Sequence, residues 1–421
     1  MSLFEPLRLP NGAVIPNRVA KAAMEETLAD ADHAPSDALL RLYQAWADGG
    51  PGLIITGNVM IDRRALTSPG GVVLESGAPL ERFARWAAVG RSGGAQLWMQ
   101  LNHPGRQMSV DLGQEAWAPS EVRVDLGRYS KMFAAPRALD EAGIADVVRR
   151  FVVSASAAER AGFSGVQLHA AHGYLVSQFL SPLSNRRSDR WGGPLGNRAR
   201  LLLDVVDAVR AAVSPGFCVA VKLNSADFQR GGFSAEEATE VVRLLAGRGV
   251  DLVELSGGSY EAPAMQGDAR DGRTLAREAY FVDFARDIAA VASMPIMVTG
   301  GIRRRAVVEA VLASGIAMAG IASALAVDPD LVRSWRQGGD GKGTLPPIRW
   351  RNKAWAALAY QAVVKYQLAR VGNGCRPRPA VSPLRALAWE RWRSARQMRA
   401  YRRWIANVGG SSGSADGRRG G

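Results

Sequence analysis

Short apolar runs alternate with longer amphipathic stretches from about residue 18 to residue 325. The runs are apolar almost throughout, which is typical of parallel strands that are covered on both faces. We predict eight strands, at Val19–Met24, Leu53–Val59, Ala95–Leu101, Gly165–His169, Cys218–Leu223, Leu252–Leu255, Ile296–Thr299 and Ala317–Ile321.

Helices are predicted between these runs. The clearest stretches are Asp140–Ala161, Asn197–Val213, Ser234–Arg248 and Tyr280–Ala292. Ser234 stands three residues before Glu237, the spacing of a capping box, and glycines follow two of the helix ends.

Eight strand–helix alternations predict an α/β fold, a closed (β/α)8 TIM barrel over residues 1–340. An open sheet that binds a dinucleotide usually carries Gly-x-Gly-x-x-Gly after its first strand, and Val19–Met24 is not followed by it. Residues 104–137 are expected to form a long loop over one mouth of the barrel. Residues 341–407 predict a basic helical extension with helices near 352–371 and 382–406, and residues 408–421 a disordered tail.

The net charge of +14 belongs to the extension and the tail. Residues 341–421 hold 17 of the 53 basic residues and 2 of the 39 acidic ones, so the predicted barrel is close to neutral. We therefore expect no nucleic-acid partner. Two cysteines, Cys218 and Cys375, provide no disulfide framework, and neither a leader sequence nor an apolar run of about 20 residues is present. We expect a cytoplasmic protein without a membrane span.

Active sites of TIM barrels lie at the carboxyl ends of the strands. The residues at these ends are mostly polar or glycine. They are Met24-Glu25, Asn58, Gln100, His169, His172, Lys222, Ser256, Gly300-Gly301 and Ala322-Ser323. Three of the four histidines, including His103, follow two of the strands. Histidines of the hydrophobic core would not be expected to gather in this way.

The spacing His169-x-x-His172-x-Tyr174 allows three side chains to converge on one small volume. Two imidazole N–H groups could stabilise negative charge on a carbonyl oxygen, and a tyrosine hydroxyl could protonate the adjacent carbon. A His-x-x-His pair also suits a metal ion, but no third ligand follows at a suitable spacing, so we predict no metal site. Gly300 and Gly301 follow the seventh strand, where barrels often bind a phosphate.

These motifs resemble those of the old yellow enzyme family of FMN-dependent ene-reductases. The resemblance covers residues 3–335 and is strongest from Leu168 through His169-Ala-Ala-His-Gly-Tyr174 to Gly193. It is supported by Pro16-Asn-Arg18, Gln100-Leu-Asn-His-Pro-Gly-Arg106, Lys222-Leu-Asn-Ser-Ala-Asp227 and Thr299-Gly-Gly301. With its His-x-x-His pair, the chain resembles the bacterial and fungal branch of the family rather than the branch with Asn at the second position.

The resemblance implies a role for each matching position. Gln100 and Asn58 would lie at the pyrimidine edge of FMN, Met24 beside the ring, and Lys222 near N1 and O2. Gly300, Gly301, Ala322 and Ser323 would bind the FMN phosphate. His169 and His172 would hold the carbonyl oxygen of an α,β-unsaturated substrate, and Tyr174 would donate the proton. NADH or NADPH would supply the hydride.

Two positions depart from the family pattern. Glu25 stands where the family usually has Cys or Thr, and an ionised carboxylate there would disfavour the reduced ring. We expect Glu25 to turn away or to be protonated. Ser323 stands where an Arg commonly contacts the phosphate, and we expect Arg303 or Arg304 to replace that charge. The iron–sulfur domain of some relatives is not expected, because two cysteines cannot ligate a four-iron cluster.

Alternative functions remain open. A different FMN barrel enzyme acting on amines or alcohols would use the same flavin contacts, and a non-catalytic barrel could bind anionic partners through its basic extension. Residues 389–404 interleave tryptophans with arginines, which suits either peripheral contact with a membrane surface or packing on the barrel. We favour packing on the barrel or on a second subunit, and expect a homo-oligomer.

Overall fold

The computed structural model of the 421-residue chain describes residues 2–262 and 281–411. Eight parallel strands close into a barrel. They are β1 (Val19–Lys21), β2 (Leu53–Met60), β3 (Gln96–Asn102), β4 (Gly165–Ala170), β5 (Cys218–Asn224), β6 (Leu252–Ser256), β7 (Ile296–Thr299) and β8 (Met318–Ile321). Strand β8 pairs with β1, which closes the barrel, so the predicted TIM barrel and all eight predicted strands are confirmed.

The helices of the barrel are α1 (Asp37–Asp48), α2 (Leu80–Arg91), α3 (Glu141–Arg160), α4 (Leu175–Leu180), α5 (Leu195–Ala212), α6 (Ala235–Leu245), α7 (Val282–Ala289), α8 (Arg305–Ala313), α9 (Ser323–Val327) and α10 (Leu331–Arg336). The predicted capping box is present at the start of α6: Ser234 accepts from the Glu237 backbone, and Glu237 accepts from the Ser234 backbone.

Two helices form the extension after the barrel, α11 (Lys353–Gly372) and α12 (Pro383–Ser411). Tyr401 of α12 is fully buried among residues of the barrel loops, and its hydroxyl donates to the Arg63 carbonyl at 3.1 Å. The predicted packing of this helix on the barrel is therefore confirmed. The predicted disordered tail falls mostly outside the described residues.

The interior of the barrel has an apolar part and a polar part. Every second side chain of a strand points inward, and the inward residues are apolar near the amino ends of the strands and polar near the carboxyl ends. The lower interior is apolar and includes Trp98, Ala220 and Met297. A hairpin formed by Leu7–Arg8 and Val14–Ile15 covers it from below, with Leu7 and Ile15 packing into the same cluster. The polar inward positions follow nearer the carboxyl ends of the strands.

Candidate active site

A chain of buried polar side chains crosses the upper interior of the barrel. Gln100 Nε2 donates to Gln167 Oε1 at 2.7 Å, and Gln167 Nε2 donates to Glu254 Oε2 at 2.7 Å. The other oxygen of Glu254 accepts from Lys222 Nζ at 2.6 Å and from the Thr299 hydroxyl at 2.7 Å. The chain therefore connects five strands, β3 to β7.

Glu254 fixes the direction of this chain. An ionised carboxylate can only accept hydrogen bonds, so Gln167 must turn its amide nitrogen towards Glu254. Its amide oxygen then faces Gln100, which must donate with its own nitrogen. The amide oxygen of Gln100 is left as an acceptor for a ligand at the mouth of the barrel.

Sequence reasoning missed Glu254, although a signal was available. It is the one acidic residue in the predicted strand Leu252–Leu255. The register of the barrel places it directly opposite Lys222 on β5. An acid and a lysine at facing inward positions of neighbouring strands form an ion pair, since neither is stable alone in an apolar interior.

The predicted triad converges at the end of β4. The ring centroids of His169 and His172 lie 5.0 Å apart, and those of His169 and Tyr174 lie 4.8 Å apart, with the planes close to perpendicular in both pairs. The backbone reaches this arrangement through positive φ angles of 61° at His172 and 74° at Gly173. A non-glycine residue in this conformation is strained, and such strain is frequent at functional sites.

Both imidazoles are neutral. Burial, and then the positive charge of Lys222, hold the pKa of His172 well below 6.5, and burial, His172 and Lys222 do the same for the pKa of His169. His169 Nδ1 accepts from the Ala171 backbone N–H at 3.2 Å, so the ring proton lies on Nε2. His172 Nε2 lies 2.8 Å from the Ser256 hydroxyl, and its backbone N–H donates to Asn224 Oδ1 at 3.0 Å.

Tyr174 is paired with a tyrosine that sequence reasoning did not single out. The hydroxyls of Tyr174 and Tyr260 lie 3.0 Å apart. Burial, followed by Tyr260 and Glu25, raises the pKa of Tyr174 well above 10, and burial raises the pKa of Tyr260 to about 12. Both hydroxyls therefore keep their protons at neutral pH. Tyr260 lies in a loop without a motif, so only the fold brings it to the site.

The loop after β1 carries Met24 and Glu25 to the same end of the barrel. Glu25 accepts hydrogen bonds from the hydroxyls of Thr67 at 2.5 Å and Ser68 at 3.0 Å. Lys365 Nζ lies 3.3 Å from its other oxygen. Burial alone would raise the pKa of Glu25, but Lys365 and the two hydroxyls outweigh it and lower that pKa. Of the two alternatives expected for Glu25, protonation is therefore wrong, and that of turning away from the flavin stays a prediction.

Asn58 joins this loop to the barrel interior. It lies opposite Gln100 in the β2–β3 register, and its amide nitrogen is 3.4 Å from the Thr67 hydroxyl. Thr67 in turn donates to Glu25. The four predicted positions Met24, Glu25, Asn58 and Gln100 therefore lie along one connected stretch of the barrel mouth.

The predicted phosphate end is formed by two neighbouring strand ends. Gly300 and Gly301 follow β7 with φ angles of 154° and 69°, and Ala322 and Ser323 follow β8, which pairs with β7. Arg303 follows the glycine turn and lines a cavity of about 710 Å³ with Arg304 and Lys342. The Ser323 hydroxyl accepts from the Tyr360 hydroxyl at 3.0 Å.

His103 does not join the other two histidines. It lines a separate cavity of about 280 Å³ with Asp62 and Arg150, and its Nδ1 accepts from the Gly105 backbone N–H at 3.1 Å. Burial lowers the pKa of His103 to about 4. Its place after β3 suggested a site residue, but its side chain lies beside the ion pairs that Arg150 of α3 forms with Asp62 and Asp146.

The residues at the mouth fit FMN by the chemistry of their groups. Lys222 supplies a cation and Gln100 an acceptor, and two adjacent glycines provide a turn whose backbone N–H groups a phosphate can approach without a Cβ intervening. Within residues 2–262 and 281–411, no group of three His, Cys, Asp or Glu side chains could hold a metal ion. No helix of the described part of the chain is long and apolar enough to cross a membrane.

Comparisons with known proteins agree with this chemistry. The sequence profile of the NADH:flavin oxidoreductase / NADH oxidase family matches residues 2–340. The NADH-dependent flavin oxidoreductase iliE of Hypocrea jecorina (strain QM6a) is 36% identical over 351 residues, which cover 78% of this chain and 87% of that protein.

Two solved structures show the same fold. An old yellow enzyme homologue from Zymomonas mobilis matches with a TM-score of 0.69 and 25% identity, over 81% of this chain and 94% of that one. A 2-naphthoyl-CoA reductase in complex with 2-naphthoyl-CoA matches with a TM-score of 0.72 and 23% identity, over 80% of this chain. The present chain spans about half, 52%, of that longer protein.

A closed (β/α)8 barrel with a flavin-compatible mouth defines the class of FMN-dependent barrel oxidoreductases. Within that class, the chain belongs to the NADH:flavin oxidoreductase family, to which the old yellow enzymes belong. The predicted cofactors, FMN with NADH or NADPH as the hydride donor, are confirmed with the family. The individual site residues stay predictions, and their roles are proposed below.

Proposed function

We propose that this protein reduces the C=C bond of α,β-unsaturated carbonyl compounds, with His169 and His172 binding the carbonyl oxygen and Tyr174 donating the proton. The observation that carries the proposal is the convergence of three rings: the ring centroids lie 5.0 Å apart for His169 and His172 and 4.8 Å apart for His169 and Tyr174.

Neutral imidazoles suit the first role. The His169 proton lies on Nε2, because Nδ1 accepts from the Ala171 backbone. If the Ser256 hydroxyl donates to His172 Nε2, the proton of His172 lies on Nδ1 and is available to the substrate. Two N–H donors held in a buried site stabilise charge that develops on a carbonyl oxygen better than water does, since they need no reorganisation.

Tyr174 suits the second role because its pKa is raised and its proton is retained. A weak acid protonates a strongly basic carbon such as that of an enolate. The Tyr260 hydroxyl, 3.0 Å away, can return a proton to Tyr174 after each turnover.

FMN would supply the hydride chemistry at the mouth, between a nicotinamide donor and the substrate. Gln100 and Lys222 would hold its pyrimidine edge, and the Gly300-Gly301 turn with Ala322 and Ser323 its phosphate. The carboxylate of Glu254 partly compensates the charge of Lys222, so this cation acts as half of a pair. Arg303 would contribute positive charge near the phosphate.

The test is a pair of anaerobic half-reactions on the purified, FMN-loaded protein. NADH should bleach the flavin absorbance, and 2-cyclohexenone should restore it. Tyr174→Phe and the double variant His169→Ala/His172→Ala should slow the second step and leave bleaching by NADH in place. Tyr129→Phe, which removes a loop hydroxyl that contacts Arg128, serves as the control.

Two results would contradict the proposal. Bleaching by NADH without reoxidation by any enone would refute the substrate class, and reduction of the flavin by an amine or alcohol would favour the dehydrogenase alternative. Equal rates of reoxidation in wild type and in both variants would refute the roles of the triad.

A further inference from the structure

Two side chains of α11 contact the cofactor-site positions at which the sequence departs from the family pattern. Lys365 Nζ lies 3.3 Å from Glu25 Oε2, and the Tyr360 hydroxyl donates to Ser323 Oγ at 3.0 Å. The family match ends at residue 340. Both partners therefore come from the part of the chain that the family profile does not describe.

The contact between Lys365 and Glu25 is a partly buried ion pair. The side chains are 18% and 26% exposed, and Lys365 also lies 3.3 Å from Glu390 of α12. Burial lowers the pKa of Lys365, but Glu25 and Glu390 outweigh it and raise that pKa. Both members of the pair are ionised at neutral pH. Lys365 therefore offsets the negative charge that Glu25 brings to the mouth of the barrel, and Arg393, 3.6 Å from Glu390, faces the second carboxylate.

Side chains of helix α12 bind the backbone of the same loop. Arg393 and Gln397 both donate to the Thr27 carbonyl, the second at 2.7 Å. Thr27 has a φ of 54°, and a β-branched residue in this conformation is strained. Such a conformation persists where surrounding contacts determine it, and two of the contacts here come from α12.

We propose that α11 and α12 form part of the FMN site, with Lys365 as a positioning residue that pairs with Glu25 and compensates its charge at the rim. Tyr360 orients Ser323 at the phosphate end, and α12 holds the loop of residues 24–28 in its binding geometry. The inference rests on the proposed placement of Met24 and Glu25 beside the flavin. The two helices of the extension would then support the FMN site as well as pack on the barrel.

The test compares full-length variants by the dissociation constant of FMN, from quenching of flavin fluorescence, and by the midpoint potential of the bound flavin. Lys365→Met should weaken FMN binding by about tenfold, because it leaves a carboxylate without its cation. The potential should become more negative, since an uncompensated negative charge disfavours the reduced ring. Lys365→Arg should retain both wild-type values.

Two further variants isolate the charge. The double variant Glu25→Gln/Lys365→Met removes both charges and should bind FMN nearly as tightly as the wild type. Arg370→Met removes a cation from the same helix, where Arg370 contacts the exposed Arg376 carbonyl, and should change neither readout.

Unchanged FMN affinity and potential in Lys365→Met would overturn the proposal. If that variant does not fold, Glu25→Gln decides: it removes the negative charge at the rim and leaves Lys365 paired with Glu390 alone. The potential should become more positive, and an unchanged potential would refute the role. Neither measurement needs a substrate. A failure of the proposed ene-reductase activity therefore shows in the enone assay, separately from these results.

Discussion

Replacing Glu254 with glutamine tests the chain of polar side chains inside the barrel. Glu254 is fully buried, and the side chain of its partner Lys222 is 4% exposed. The variant leaves a buried ammonium group without a counter-charge. Breaking a buried ion pair in this way costs about 3–5 kcal/mol.

This cost can be expressed as a change in melting temperature. Unfolding entropy is about 2.1 cal/mol/K per residue, which gives roughly 0.9 kcal/mol/K for 421 residues. Glu254→Gln should therefore lower the Tm of the FMN-free protein by about 3–6 °C, as measured by circular dichroism.

The same substitution should reverse the amide chain. Lys222 and Thr299 both donate to one side of residue 254, so a glutamine there keeps its oxygen on that side and turns its nitrogen towards Gln167. Gln167 and then Gln100 must turn over in response. Gln100 would then present a donor at the mouth where it now presents an acceptor, and FMN affinity should fall.

The double variant Lys222→Met/Glu254→Gln is the control for charge. It has no unpaired buried charge, so it should recover most of the lost Tm without recovering FMN affinity. A Glu254→Gln protein with the Tm of the wild type would refute the reasoning. So would a double variant whose loss of Tm equals the sum of the losses of Glu254→Gln and Lys222→Met.

Three other predictions follow from single side chains. Tyr174→Phe should slow reoxidation by an enone about 10²–10⁴-fold without changing bleaching by NADH, because Tyr174 keeps its proton under burial and beside Tyr260; stopped-flow absorbance separates the two steps, and equal slowing of both would contradict the role. His103→Gln should flatten the dependence of stability on pH. Burial lowers the pKa of His103 from 6.5 to about 4, so below pH 6.5 the unfolded chain binds a proton that the folded protein does not. The wild type should then lose on the order of 3 kcal/mol as pH falls from 6.5 towards 4. Urea unfolding at pH 7 and pH 4.5 measures this loss, and an equal loss in the variant would contradict the assignment. Tyr401→Ala should cost about 3–5 kcal/mol because the ring is fully buried, whereas Trp392→Ala, 56% exposed on the same helix, should stay within about 0.5 kcal/mol of the wild type in urea unfolding.

Most of the barrel could be predicted because its signal is local. Each strand is an apolar run between helical stretches, and every run became a strand. The ends of the elements were less certain, because they depend on partners elsewhere in the chain. The strand predicted at Val19–Met24 ends at Lys21. The last hydrogen bond to β8 is donated by the Ala22 backbone N–H to the Ile321 carbonyl, and the chain then turns away from β8.

The candidate site could be predicted where its residues follow strand ends in recognisable motifs. His169, His172 and Tyr174 lie within six positions of each other, so their convergence needs only one strand and the turn after it. His103 shows the limit of that reasoning, because a strand end fixes where the backbone goes but not which way the side chain turns.

The sequence alone determined the class of protein: a barrel with a flavin-compatible mouth and a His-His-Tyr group at the fourth strand. The tertiary structure decided the partners of those residues. Glu254 meets Lys222 across a strand register, and Lys365 meets Glu25 although 340 positions separate them in the chain. A sequence motif shows only side chains that lie close together along the chain. Charge compensation between distant segments follows from packing, and only the folded chain shows it.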